Sequence, residues 1–199
     1  MKIILSSRRR HYLAMVGTFL LAIAFIVGMA GCALPADEEE EEEEFEPSLC
    51  VDFEDLTLGT QYSVGDTFTD SGVNIKVETA DGITPVAEVD NKGNAGGFGQ
   101  EIMLANVILN FIDLGFPCEN LSLLFGEIGP PGIKQYIKIN DDQETFEQFI
   151  DIDGEEIGGV NVSVVNGPNQ PTGKLILSGT INSFAIGSEE LVIDEVCVA

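Results

Sequence analysis

From Leu49 to the C-terminus, short apolar runs alternate with clusters of Gly, Asn, Asp and Pro. Ten runs recur at intervals of about 8 to 14 residues: CVDFEDL, VNIKVET, EIMLANVILNFI, NLSLLFGEI, QYIKIN, TFEQFIDI, VNVSVV, KLILSG, INSFAI and ELVIDEVCV. Several alternate with a period of two, as at Val73, Ile75 and Val77, and no window has the periodicity of a long amphipathic helix. This pattern predicts an all-β domain over residues 48–199, an antiparallel sandwich or jelly roll of about ten short strands.

The charge of the chain beyond Cys32 is strongly negative. All 34 acidic residues follow Cys32, where they meet five lysines, no arginine and no histidine. This field repels nucleic acids and favours cations, so we expect no nucleic-acid partner. Without histidine, Ser-His-Asp and Cys-His catalytic sets and imidazole zinc sites are excluded. No spacing singles out a carboxylate pair for glycoside hydrolysis, and we predict that the protein is not an enzyme.

Residues 1–31 have the architecture of an export signal. Three arginines precede a long apolar run, and small residues lead into Cys32. The tetrapeptide Met29-Ala30-Gly31-Cys32 resembles the bacterial lipobox. The resemblance implies cleavage before Cys32 and lipid on its thiol, which anchors the protein to a membrane outside the cytoplasm. An uncleaved membrane anchor is the alternative, because about 19 apolar residues span a bilayer of roughly 30 Å.

The export route and the spacer follow from neighbouring residues. Residues 9–13, RRHYL, resemble a twin-arginine signal, so this route and the general secretory route both stay open. In Gram-negative lipoproteins an aspartate after the lipidated cysteine favours inner-membrane retention. The residue here is Ala33, which implies the outer membrane or cell surface. Residues 32–47 carry nine acids between Asp37 and Glu46, and their mutual repulsion predicts a disordered acidic linker.

The two ends of the predicted domain carry a second resemblance. VDFEDLTLGTQYSVGDTFTDSGVNI and INSFAIGSEELVIDEVCV resemble the first and last strands of galactose-binding-like jelly rolls, the fold of many bacterial carbohydrate-binding modules. Their terminal strands pair antiparallel, which implies a Cys50–Cys197 disulfide and leaves Cys118 as a buried thiol. A Cys50–Cys118 bridge and the absence of any disulfide are the alternatives. The resemblance implies a module that binds carbohydrate or another cell-envelope ligand. The alternative is a structural or protein-interaction surface lipoprotein.

The same resemblance implies a structural Ca²⁺ where the first strand meets the last. Glu54 and Asp194 match the expected carboxylates, with Asp52 or Asp55 as helpers, and Ca²⁺ prefers such oxygen ligands. Ordinary solvated acids are the alternative. The glycine-rich stretch Asn91–Gln100 is the first candidate for a ligand-binding rim, because binding residues concentrate in loops.

Overall fold

The computed structural model describes residues 46–80, 82–167 and 171–199. Within them the chain forms fifteen strands in two antiparallel sheets, with no α-helix. The predicted all-β antiparallel sandwich is therefore confirmed. Five strands more than expected occur. Four were not predicted, of which two have only two residues, and one predicted run forms two strands. The predicted signal segment and Cys32 lie outside the described residues, as does the linker up to residue 45.

The strands fall into a nine-stranded and a six-stranded sheet. In chain order they are β1 (Leu49–Val51), β2 (Gln61–Tyr62), β3 (Thr67–Asp70), β4 (Val73–Thr79), β5 (Val86–Asp90), β6 (Glu101–Ala105), β7 (Val107–Phe111), β8 (Cys118–Gly126), β9 (Gln135–Ile139), β10 (Asp142–Phe146), β11 (Glu156–Ile157), β12 (Val160–Asn166), β13 (Thr172–Ile181), β14 (Phe184–Ser188) and β15 (Leu191–Val198). The nine-stranded sheet has the order β11-β12-β13-β8-β15-β6-β5-β2, with β1 also paired to β15. The six-stranded sheet has the order β10-β9-β14-β7-β4-β3.

The core lies between the sheets and is filled by alternate residues of their strands. In β7, Val107, Leu109 and Phe111 are at most 1% exposed, whereas Ile108 and Asn110 are partly exposed on the outer face. Burying one large apolar side chain completely stabilises the fold by about 1.5–3 kcal/mol. A shift of one residue would turn this set outward, so burial fixes the register of the strand.

The last strand, β15, lies inside the nine-stranded sheet and pairs with β8 along one edge. On the other edge, Leu191–Ile193 pair with β6 and Val196–Val198 pair with β1. Glu195 lies between these halves with a φ of 48°, where the register with β8 also shifts. Such a bulge bends a strand and redirects its side chains. The first and last strands are thus antiparallel neighbours, as the jelly-roll resemblance implied.

Left-handed residues mark two sharp changes of direction. Ser71 and Gly72 join β3 to β4 with φ of 48° and 80°, the signs of the two-residue hairpin turn that matches strand twist. Asn106 has a φ of 57° between β6 and β7. These two strands belong to different sheets, so the prediction of one strand over EIMLANVILNFI was wrong. Asparagine tolerates the left-handed conformation and allows the chain to cross the sandwich there.

A second predicted strand is in fact a strand followed by a 3₁₀ turn. The run TFEQFIDI was predicted as one strand, but β10 ends at Phe146 and Phe149–Ile152 forms a 3₁₀ turn. The Gln148 N–H donates to Asp151 Oδ2 at 2.9 Å, and the Asp151 N–H donates to the Gln148 carbonyl at 2.9 Å. The Phe149 ring stacks on Phe125 with centroids 4.0 Å apart. The apolar residues that favoured a strand therefore fill one end of the core.

Candidate functional site

The terminal strands bring Cys50 and Cys197 directly opposite each other. Their Cα atoms are 4.1 Å apart and their sulfurs form a disulfide across a sequence separation of 147 residues. The pairing implied by the jelly-roll resemblance is confirmed, and the alternative with Cys118 is wrong. Cys118 is a buried free thiol, and burial raises its pKa, with a smaller contribution from the Glu119 charge.

The proposed calcium carboxylates Glu54 and Asp194 both lie against the loop Asn91–Gln100. Asp194 is 2% exposed, and its Oδ2 lies so close to Gly97 that a side chain there would collide with it. Glu54 Oε1 lies equally close to Gly99, where a side chain would collide with it, and it accepts a hydrogen bond from the Gln100 N–H at 2.5 Å. A side chain at either glycine would displace one of these carboxylates, and the φ of 93° at Gly99 also favours glycine.

Asp194 has the most strongly altered carboxyl group of this region. Its pKa is raised to about 7, chiefly by burial and in smaller part by the charges of Glu195, Glu101 and Asp52, while the hydrogen bond from the Glu195 N–H lowers it. Glu101 is 1% exposed, and its two oxygens accept the N–H groups of the loop at 3.0 and 2.8 Å. Glu101 thus fixes the loop, while Asp194 remains a buried carboxyl that a cation would favour in its charged form.

Asp52, the third predicted metal residue, is turned into its own loop, where Oδ1 accepts the Glu54 N–H at 3.2 Å. Within the described part of the chain, no three acidic, cysteine or histidine side chains are grouped with spacing suited to a metal. Gln100 supplies a further oxygen near Glu54, because its Nε2 donates to the Glu54 carbonyl at 3.0 Å and its Oε1 is buried without a hydrogen bond. Carboxylate and amide oxygens are the ligand types that Ca²⁺ prefers, and these three groups belong to the loop Asn91–Gln100 or lie against it.

A buried carboxyl that the sequence did not single out is Asp70. It is 1% exposed, and Oδ2 accepts the Phe53 N–H at 3.1 Å and the Ser71 hydroxyl at 3.2 Å, while Oδ1 has no partner. Burial raises the pKa of Asp70, and the charges of Asp52 and Asp55 add to the rise. Phe53 has a φ of 59° and is fully buried, so Asp70 holds the loop that follows β1 in this conformation.

A groove of about 130 Å³ opens on the outer face of the six-stranded sheet. Two rows of outward residues cross it. Strand pairing places Tyr136, Gly187, Ile108 and Glu78 in one row and Gln143, Lys138, Ala185, Asn110 and Lys76 in the other. Ala185 of β14 lines the groove, and Gly187 continues the row of small residues on the outer face of that strand. A Cβ at position 187 would collide with the backbone and side chain of Ile108, so glycine is required there.

The charged groups of the groove differ in whether they have partners. Glu78 Oε1 receives Lys76 Nζ at 3.2 Å and Asn110 Nδ2 at 3.2 Å. Lys138 is exposed and forms no ion pair with any described residue. The aromatic wall of the groove is Tyr136, which is 7% exposed although it faces outward. The groove therefore combines amides, an ammonium group and one aromatic ring over a floor of small residues.

Sequence reasoning missed this groove, although one signal was present. In FAIGS (residues 184–188), Ala185 and Gly187 alternate with the buried Phe184 and Ile186. This alternation indicates a strand whose outward side chains are too small to fill the surface above it. The predicted rim Asn91–Gln100 instead covers the outer face of the nine-stranded sheet, where the Asn94 carbonyl lies against Gly126. Phe98 projects from this loop and is 94% exposed.

Comparisons with protein-family models, curated proteins and solved structures found no match. Among residues 46–80, 82–167 and 171–199, no helix has the length and apolar character needed to cross a membrane.

Proposed function

We propose that this chain is a lipid-anchored, extracytoplasmic binding module that holds a cell-envelope saccharide in the groove of the six-stranded sheet. The groove is the observation that supports the proposal. The amides of Gln143 and Asn110 and the Lys138 ammonium are suited to sugar hydroxyls, while Tyr136 and Ile108 offer apolar surface to a sugar face. Its volume is below the roughly 300–1,000 Å³ of drug-sized pockets, which suits one sugar residue of a longer chain.

The location in this proposal rests on the N-terminal sequence. Cleavage before Cys32 and lipidation of its thiol would tether the domain through the acidic linker. The disulfide agrees with export, because such bonds persist in oxidising compartments outside the cytoplasm. The resemblance to galactose-binding-like jelly rolls supports the same assignment, and in this proposal the protein is not an enzyme.

A structural Ca²⁺ forms part of the proposal. Glu54 and Asp194 would hold it beneath the loop Asn91–Gln100, with the Gln100 amide oxygen as a further ligand and Asp52 nearby. A bound cation supplies positive charge where burial disfavours the ionised form of Asp194. Its role would be to fix the loop on the nine-stranded sheet, away from the groove.

The binding proposal is tested by a glycan array with the full-length chain, followed by a groove-filling variant. Ala185→Leu places a larger side chain on the groove floor, and we expect it to abolish binding. Ser178→Leu makes a similar enlargement on the exposed face of β13 and should bind like the wild type. A wild-type protein that binds no saccharide, or an Ala185→Leu variant that binds normally, would refute the assignment to this groove.

A structural or protein-interaction lipoprotein without a small ligand is the second candidate function. The observation that favours it is the 94% exposure of Phe98 between glycines, since exposed aromatic residues are frequent anchors at protein interfaces. Crosslinking on intact cells separates the two candidates. Capture of one envelope protein that is lost in Phe98→Ser but retained in Ala185→Leu would support the second candidate over saccharide binding.

A further inference from the structure

We infer that the saccharide held in the groove carries a negative charge, as a uronic acid does, and that Lys138 selects it. The inference rests on the proposed function, because it names the ligand class of the same groove. Residues 48–199 contain five acidic residues for each lysine, yet Lys138, like Lys134, forms no ion pair with a described residue. Lys138 differs from Lys134 in that it lines the groove.

The neighbours of Lys138 on the outer face are neutral. Its partner on β10 is Gln143 and its partner on β14 is Ala185. Opposite charges at directly paired positions stabilise a sheet, and acids are abundant in this chain, yet neither position has one. The Lys138 ammonium therefore remains available to a ligand that enters the groove.

The acid of the groove does not cancel this charge. Glu78 Oε1 already accepts hydrogen bonds from Lys76 Nζ and Asn110 Nδ2, both at 3.2 Å. Its negative charge is therefore compensated by residues of β4 and β7. The groove and its border thus hold two ammonium groups and one carboxylate, a local excess of one positive charge on a strongly negative domain. Salt screens the surrounding negative field over about 8 Å at physiological ionic strength, whereas a carboxylate in contact with Lys138 is affected less.

The sugar class that fits is one with a single carboxylate and neutral hydroxyls. The lysine ammonium is a compact charge with three hydrogen-bond donors. It is suited to contact one oxygen of a carboxylate, whereas a planar arginine side chain binds both oxygens at once. The amide of Gln143, paired opposite Lys138, can donate to or accept from a hydroxyl beside that carboxylate. A neutral sugar would occupy the same floor without using the ammonium group.

Calorimetric titration of the full-length chain with two tetrasaccharides, one of galacturonic acid and one of galactose, tests the inference. The wild type should bind the acidic tetramer more tightly, and Lys138→Gln should lower that affinity about two- to five-fold while leaving the neutral tetramer unaffected. Lys138→Arg should retain most of the preference. Lys174→Gln makes the same charge change on β13 of the other sheet and should have no effect.

The failures of the two proposals are distinguishable. Equal affinity for both tetramers in the wild type, or an unchanged preference in Lys138→Gln, overturns the charge selection and leaves saccharide binding in place. Absence of binding to either tetramer and to every glycan of the array overturns both proposals. Acidic binding that persists in Ala185→Leu places the anion site outside the groove and also overturns the inference.

Discussion

Removing the Cys50–Cys197 disulfide should destabilise this domain more than most single changes. The bridge closes a loop that spans 147 residues, from the first strand to the last. In the loop-entropy model such a constraint lowers the entropy of the unfolded chain by an amount worth about 5 kcal/mol at 25 °C. Domains of this size have total stabilities of roughly 5–15 kcal/mol, so the loss is at least a third of the whole.

The perturbation is the double variant Cys50→Ser/Cys197→Ser, compared with the wild type by urea unfolding. We expect the free energy of unfolding to fall by about 5 kcal/mol and the melting temperature by roughly 10–20 °C. The denaturant slope should rise, because an unbridged chain exposes more surface when it unfolds. Wild-type protein treated with reductant should reproduce the double variant, and Cys118→Ala should keep the wild-type slope because the bridge is intact.

Two results would refute this reasoning. A double variant within about 1 kcal/mol of the wild type would mean that the ends of the unfolded chain stay close without the bridge. A large loss with an unchanged slope would place the effect in the folded state, where β1 is held on β15 by only three residue pairs. The second result would make the bridge a local clamp on β1 rather than a constraint on the unfolded chain.

Three further predictions concern a buried acid, the metal and the N-terminus. Burial raises the folded-state pKa of Asp70 above 3.8, so its contribution to stability is present below that pH and is lost as pH rises through the folded pKa. Urea midpoints should therefore fall less between pH 4 and pH 7 in Asp70→Asn than in the wild type, and equal falls would contradict this. Ca²⁺ should raise the melting temperature of the wild type more than Mg²⁺ at matched ionic strength, by about 2.7 kcal/mol of stability at a hundredfold excess over Kd. The selective rise should vanish in Glu54→Gln/Asp194→Asn, and a rise that survives would place the site elsewhere. Intact mass of the membrane-extracted protein should begin at an acylated Cys32, and an unmodified chain that retains residues 1–31 would favour the membrane anchor.

Local sequence pattern was sufficient to predict the fold class. Alternation at Val73, Ile75 and Val77 indicates a strand with one buried face, and those three residues are buried in β4. Pattern was not sufficient for strand boundaries. A run such as EIMLANVILNFI has β character throughout, and only the left-handed Asn106 shows that the chain changes sheets within it. Conformation at one residue, which sequence specifies weakly, decided the topology there.

The candidate metal residues could also be predicted from the sequence, whereas the groove could not. The resemblance at the two ends of the domain implied that Glu54 and Asp194 meet, and in the structure both carboxylates lie against the loop Asn91–Gln100. The groove had no comparable signal. Its rows join Glu78, Ile108 and Tyr136 from strands far apart in the chain, and their proximity depends on strand registers that only the folded sheet determines.

The two faces of the sandwich have different accessibility, and this difference links the structure to the proposed function. The outer face of the nine-stranded sheet is partly covered where the loop Asn91–Gln100 lies on β8 and β15. The chain also enters the domain through this sheet, because β1 pairs with β15 and is joined to it by the disulfide. The groove opens on the outer face of the opposite sheet. The disulfide and β1 therefore belong to the sheet opposite the groove, and neither involves the residues proposed to bind the saccharide.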